Sequence, residues 1–391
     1  MSDPKNRRNA SASNPTASNP ILSTAGRARR QFIGSTALAA IGGSAAALTR
    51  GLPAEAADSG HDAVPGECPT VRTPMKDVEG KVAFITGGDS GIGLGIARAF
   101  TDAGMKAVIT YRSKKHLDEA MKQLAGAGDR VHAVELDVTD RKAMERAAQE
   151  TERVFGKVHV IVNNAGVGVF GGLSKATYDD WDWGMGVNVN GVFNGIRTFL
   201  PRIQSHGEGG QVIATSSVAG IIAHPGTGVY STSKFAVVGM MEALRNELAD
   251  TNVGVTVFCP GLVNTDIGES ARNRPSNLGD SAFKPDPKMM ARMREQMRAR
   301  RGPPGPPPGM DPLEAGRRVL NGMRNNDLYV LTTPELETEI AARGEAIVAS
   351  IPTDIQPPAA RVAMQRAIAG KTVYVTVRDR LRCERARSRK T

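Results

Sequence analysis

Tyr230 and Lys234 stand four residues apart in Tyr-Ser-Thr-Ser-Lys. On a helix that spacing puts both side chains on one face, a turn apart. A free phenol titrates near ~10, too high to exchange a proton readily at neutral pH. An adjacent ammonium favours the phenolate and lowers that value, which turns a tyrosine into a usable acid or base. The same spacing occurs by chance as a solvated pair, so the surrounding elements decide what it means.

Those elements alternate from residue 77 onward. Short apolar runs at 81–86, 107–111, 131–136, 158–162, 211–215 and 253–258 predict strands, with a seventh at 328–331. Between and after them, amphipathic stretches predict helices over 91–104, 115–127, 140–155, 179–204, 228–250 and 334–350. Alternation of this kind predicts an α/β fold: a doubly wound, Rossmann-type, mainly seven-stranded parallel sheet with helices on both faces. Asp311-Pro312 predicts a further helix start, the acid as N-cap and the proline at the first helical position.

Thr86-Gly87-Gly-Asp-Ser90-Gly91-Ile92-Gly93 joins the first strand to the first helix. Glycines are needed where backbone closes on a pyrophosphate, and the helix N-terminus offers free N–H groups to it. The second strand ends Thr110-Tyr111-Arg112-Ser113, with an arginine where a carboxylate would bind the ribose hydroxyls of NAD(H). Arg112 can pair with a 2′-phosphate, so NADP(H) is the expected cofactor and NAD(H) the alternative.

Three further motifs follow in order: Asn163-Asn164-Ala165-Gly166 after the fourth strand, Ser217 thirteen residues before Tyr230, and Pro260-Gly261-Leu-Val263-Asn-Thr265 after the sixth. With the glycine turn and the Tyr/Lys pair, the chain over about 77–350 resembles the short-chain dehydrogenase/reductase family. The resemblance implies a catalytic set of Asn188, Ser217, Tyr230 and Lys234. In it Tyr230 exchanges a proton with the substrate oxygen, Ser217 holds that oxygen, Lys234 steadies the phenolate and the nicotinamide ribose, and Asn188 holds a relay water. Asn190 is a rival, but the family's asparagine precedes x-x-Gly, which selects Asn188. The resemblance also implies that Thr86, Gly87, Ser90, Gly91, Ile92 and Gly93 form the phosphate turn, with Asp137 and Val138 at the adenine. Asn163, Asn164, Ala165 and Gly166 would support sheet and cofactor, and Pro260, Gly261, Val263 and Thr265 the nicotinamide end. The implied activity is hydride transfer between a nicotinamide and a secondary alcohol or ketone, in a homodimer or homotetramer. A non-catalytic nucleotide sensor on the same fold is the alternative.

The pocket candidates Val167, Val169, Phe170, Ile221 and Ile222, with the insert after Thr265, are mostly apolar and point to a hydrophobic alcohol or ketone. An insert at about 266–310 carries Met289, Met290, Met293 and Met297, an adaptable lid or a plain core stripe, and then a stiff Gly302–Gly309 proline run.

The net charge of +10 lies in the tails. Residues 1–56 hold seven Lys/Arg against two Asp/Glu, residues 378–391 again seven against two, and the body balances. No nucleic-acid groove is expected there. Residues 1–56 are expected as a disordered leader plus a twin-arginine export signal (Arg29-Arg30, then a small-residue stretch ending near Ala56), and 57–76 as a linker. The expected location is therefore periplasmic or exported, reached through the export machinery, with the cytoplasm as alternative. An exported enzyme has no evident dissolved NADP(H) supply, so a tightly held, internally recycled nucleotide is a second possibility. Cys68, Cys259 and Cys383 show no CxxC spacing, and Cys259 lies in an apolar run as a buried thiol. The histidines show no metal-ligand spacing, and no metal is expected. The catalytic domain is expected to run to 352, and 353–391 to be a basic extension with a disordered end.

Overall fold

The computed structural model describes residues 68–283 and 308–388, except 70 and 371, and within the insert positions 292 and 295. The leader, the export signal, the four insert methionines and most of the proline run lie outside the described residues.

Seven strands form one parallel sheet in the order β3-β2-β1-β4-β5-β6-β7. They are β1 (Val82–Ile85), β2 (Lys106–Tyr111), β3 (Val131–Glu135), β4 (Val160–Asn163), β5 (Gly210–Thr215), β6 (Val253–Cys259) and β7 (Tyr329–Leu331). The strands are near-continuous apolar runs because both faces are covered. In β1, Phe84 enters one core, while Ala83 and Ile85 enter the other. The first core lies against α3 (Arg141–Phe155), α5 (Gly191–Ser205) and α6 (Gly228–Glu247), through residues such as Met144, Phe199 and Met241. The second lies against α1 (Gly91–Asp102), α2 (Lys114–Gln123) and α7 (Pro312–Asn325), through Phe100, Ala120 and Val319. The expected doubly wound sheet is present.

At the N-terminus of α7, the Asp311 carboxylate accepts from the Leu313 and Glu314 N–H groups at 2.8 and 3.3 Å, as the sequence predicts. Helices α1 and α7 meet backbone to backbone. A Cβ on Gly95 would stand 1.9 Å from the Pro312 carbonyl oxygen, so only glycine fits.

The helix expected over 179–204 is interrupted. It consists of α4 (Tyr178–Met185), a π-helical turn at Gly186–Asn190, and α5. Such turns cluster at functional sites, and this one carries Asn188.

The C-terminal extension departs from expectation. Beyond β7, α8 (Glu337–Ala349) is the helix expected over 334–350, and α9 (Ala359–Ala369) follows within the extension; neither has a buried residue. The end expected to be disordered forms α10 (Val373–Ser388) instead. Val373 and Val377 pack on the first core, the Tyr374 hydroxyl donates to Glu242 at 2.8 Å, and Arg380 pairs with Asp327. A disulfide joins Cys383 to Cys68. Cys259 is the buried free thiol the sequence predicts.

Candidate functional site

The cleft opens at the carboxyl ends of the strands, where the order reverses between β1 and β4, the usual ligand site of open α/β sheets. Its cavity volume is about 480 Å³.

The turn after β1 is held from below. The Thr86 hydroxyl accepts from the N–H groups of Asn164 and Ala165 at 2.9 and 3.0 Å. The Asn164 amide donates to the Thr86 and Gly87 carbonyls at 3.1 and 3.2 Å. A Cβ on Gly93 would lie 2.0 Å from the Gly87 carbonyl, so the turn closes only on glycine. The N-cap Ser90 makes no side-chain capping bond, and the first turn of α1 has no acid. These free N–H groups fit a pyrophosphate. Gly87, Ser90, Gly91 and Ile92 line the cleft, while Thr86 and Gly93 lie behind it as supports.

Tyr111, Arg112, Asp137 and Val138 line the adenosine end. Arg112 is half-exposed and lies 3.6 Å from Asp137. Asn164, Ala165, Gly166, Pro260, Gly261, Val263 and Thr265 line the floor and far wall, and Asn163 is buried in the sheet beneath.

Ser217, Tyr230 and Lys234 converge on the middle of the cleft. Ser217 follows β5, and its hydroxyl accepts from the Ala219 N–H at 3.1 Å. Tyr230 and Lys234 rise one turn apart on α6, the ammonium 5.6 Å from the phenol ring centroid and donating to the Thr215 carbonyl at 3.0 Å. Asn188 is buried. Its amide brackets residue 167, accepting from the Val167 N–H at 2.8 Å and donating to the Val167 carbonyl and the Ser233 hydroxyl at 3.0 Å each. Both donors are spent, and one Oδ1 lone pair remains for a water. A Cβ on Gly166 would stand 3.3 Å from Asn188 Oδ1 and 3.5 Å from Lys234 Nζ, so both flank that glycine. The rival Asn190 is exposed.

The electrostatics correct one expectation. Burial raises the Tyr230 phenol above its ordinary value, and the Ser217 hydroxyl only partly opposes this. Burial also lowers the Lys234 ammonium to about 8. In this geometry the lysine bonds to a carbonyl rather than to the phenol, and desolvation outweighs its field.

A pH signature follows. A buried lysine with a lowered pKa destabilises the fold fully below about 8, and the penalty fades as pH rises towards the free lysine value of ~10.4. Lys234→Met should therefore be more stable than wild type below pH 8, with the gap closing by pH 10.5. Urea midpoints of both proteins across that range test this. A gap independent of pH would refute the assignment.

Several lining residues escaped the sequence reading. Asp89 sits in the glycine turn 4.0 Å from His116, its carboxyl raised by burial. Thr215 and Ser216 line the floor; Ile267, Ser270 and Arg272 also line the cleft, from the insert after Thr265 that the sequence offers as pocket wall. Of the pocket candidates, Val167 lines the cleft, and Val169 is core instead, because it packs under the site. The Phe170 ring lies 5.0 Å from that of Tyr230, and Ile221 and Ile222 are part-exposed after Ser217.

The start of the insert is docked on α4. Asp180 is fully buried, accepts from Arg274 at 2.9 Å and from the Ala282 N–H at 3.2 Å, and completes a capping box with Thr177. The Arg274 guanidinium covers Trp183 at 5.3 Å, and the Ser270 hydroxyl accepts from the Gly168 N–H at 2.8 Å.

At the opposite ends of the strands, His159, His206 and Glu208 come close enough to hold an ion. Their ring nitrogens are already engaged: His159 accepts from the Val82 N–H and meets Glu208, while His206 meets the Val158 carbonyl and the Glu208 N–H. Lys81 and Lys157 also pair with Glu208. This cluster is satisfied without a metal.

Comparisons agree with the geometry. The short chain dehydrogenase family model matches residues 81–276. A C alpha-dehydrogenase of Sphingobium sp. strain SYK-6 is 35% identical over 297 residues, covering 75% of this chain and 94% of that protein. An NADP-dependent (R)-specific alcohol dehydrogenase of Lentilactobacillus kefiri is 37% identical over 192 residues, covering 49% of this chain and 76% of the other. The crystal structure of a short chain dehydrogenase/reductase from Burkholderia phymatum in complex with NAD superposes with a TM-score of 0.62 at 34% identity, covering 72% of this chain and 99% of that one. Nucleotide turn, paired tyrosine and lysine, and sequence match lead to one conclusion: the chain belongs to the short-chain dehydrogenase family of oxidoreductases.

Proposed function

We propose that this protein interconverts a hydrophobic secondary alcohol and its ketone, using NADP(H) in preference to NAD(H). The observation that carries the reaction is the convergence of Ser217, Tyr230 and Lys234 beside a turn shaped for a pyrophosphate. When bound, a nicotinamide supplies the hydride donor or acceptor. The protein's own work is proton transfer and positioning. Tyr230, protonated in the resting site, gives its proton to the ketone oxygen or takes it from the alcohol. The Ser217 hydroxyl holds that oxygen where charge develops. Lys234, neutral or charged according to pH near 8, steadies the phenolate and communicates through Asn188 and water with solvent.

The apolar substrate is supported by Val167, Ile267 and the Phe170 ring beside Tyr230. Assays of alcohols and ketones with NADP⁺ and NADPH test this. Activity confined to small charged sugars or acids would overturn it.

The cofactor preference rests on Arg112. The first turn of α2 has no acid but carries Lys114, Lys115 and His116, a placement the helix dipole disfavours unless an anion sits there. Arg112→Ala should raise the Michaelis constant for NADPH about ten- to a hundredfold, the worth of one charge-assisted hydrogen bond. NADH kinetics should barely change. An unaltered NADPH constant would sink the preference.

Export through the twin-arginine route belongs to the same reading. The Cys68–Cys383 disulfide supports it, since such bonds persist in oxidising compartments. Cell fractionation with sequencing of the mature N-terminus tests it, and full-length protein confined to the cytoplasm would count against it.

A further inference from the structure

We propose that Asp89 supplies, from the glycine turn, the carboxylate that the end of β2 lacks, so that the cleft admits NAD(H) as well as NADP(H). This rests on the cleft binding a nicotinamide nucleotide, as proposed above, and adds a specificity residue to it. In dinucleotide folds an acid at the end of the second strand bonds the adenosine ribose hydroxyls. Here β2 ends at Tyr111, followed by Arg112 and Ser113, with no acid. The Asp89 carboxylate lies 4.0 Å from His116 Nδ1, in the first turn of the helix that leaves β2. It lines the same cleft as Tyr111, Arg112 and Ser113. A carboxylate thus reaches that end of the cleft from the neighbouring turn.

Bracing of the turn does not account for it. Thr86 and Asn164 do the bracing, through the hydrogen bonds between the turn and the end of β4. The Asp89 carboxylate accepts from its own backbone N–H, and among the described residues no side chain donates to it within hydrogen-bond distance. Its side chain is only 10% exposed. Burial raises the carboxyl above its ordinary value, and its own N–H, His116 and Arg272 only partly oppose this. A carboxylate nine-tenths buried and short of donors is costly unless a ligand brings them. Two ribose hydroxyls are such donors. A 2′-phosphate is not, and would meet like charge.

Arg112 and Asp89 then divide the work. The Arg112 pair with Asp137, at 3.6 Å, is solvent-exposed and weak, so exchanging it for a phosphate costs little. His116 stands beside Asp89 and, when protonated, offsets its charge. The site holds one anchor for each nucleotide, and the preference for NADP(H) is the difference between two opposed contacts.

Fluorescence titration of NADH and NADPH against wild type and Asp89→Asn tests this. Asparagine keeps the shape of the side chain, so melting should change little. The variant should bind NADH about tenfold more weakly, the worth of a hydrogen bond to a charged group. It should bind NADPH no more weakly than wild type does, and up to about tenfold more tightly, because like charge is removed. A 2′-deoxy form of NADH asks the same question without a variant. It should bind wild type about tenfold more weakly than NADH does, and the difference should vanish in Asp89→Asn. Equal weakening of NADH and NADPH in the variant would make the carboxylate a brace of the turn and overturn the inference. So would equal affinity of wild type for NADH and its 2′-deoxy form. Wild type that binds neither NADH nor NADPH would instead overturn the proposed activity, and this inference with it.

Discussion

Replacing Tyr230 by phenylalanine should lower turnover about a thousand-fold, the usual worth of a positioned acid or base. Nucleotide binding should stay unchanged. The ring remains, so its 5.0 Å contact with Phe170 and the packing of α6 survive, and only the transferable proton is lost. The lysine is held by the Thr215 carbonyl rather than by the phenol, so its position should survive too. Single-turnover kinetics with bound NADPH, alongside titration of NADPH fluorescence, separates the chemical step from binding. Retained turnover would show that another group moves the proton, and lost nucleotide binding would show that Tyr230 is chiefly structural.

Asp180→Ala should cost about 3–5 kcal/mol of stability, the scale for removing one partner of a buried ion pair. Asp180 is fully buried and Arg274 nearly so, and the same carboxylate receives the Thr177 and Ala282 N–H groups. Its loss strands a guanidinium, opens the capping box of α4 and frees the insert start that carries Ile267 and Ser270 to the cleft. Asp180→Asn should lose less, because an amide oxygen still accepts. Pairing Asp180→Leu with Arg274→Met should restore much of the loss, since no uncompensated charge remains. Urea unfolding measures all three. A cost for Asp180→Ala within about 0.5 kcal/mol, the range of ordinary surface substitutions, would mean the pair does not hold the insert.

The parts legible in the sequence were those written locally. Buried parallel strands announce themselves as apolar runs, and the glycine turn, the Asp311 cap and the Tyr230/Lys234 spacing are each set within a few residues. Asn188 was separated from Asn190 by motif alone; that it is buried in a π turn was not legible in the sequence. What escaped was set by distance in space. Cys68 and Cys383 are 315 residues apart, and no spacing rule joins them. Arg274 and Asp180 are separated by 94 positions, so neither charge showed its partner beforehand. The direction of the Tyr230 shift depended on how deeply the pair is desolvated and on a carbonyl at Thr215, neither visible in a helix spacing.

The bond between Cys68 and Cys383 has a topological consequence. It closes the chain between these residues into a covalent ring. A protease that cuts once inside the ring, whether in the insert or between α8 and α9, opens the circle without releasing a fragment. The glycine turn, Ser217, Tyr230, Lys234 and helices α8 and α9 all lie on that ring. The two halves of a nicked molecule stay tethered, so their reassociation is intramolecular and independent of protein concentration.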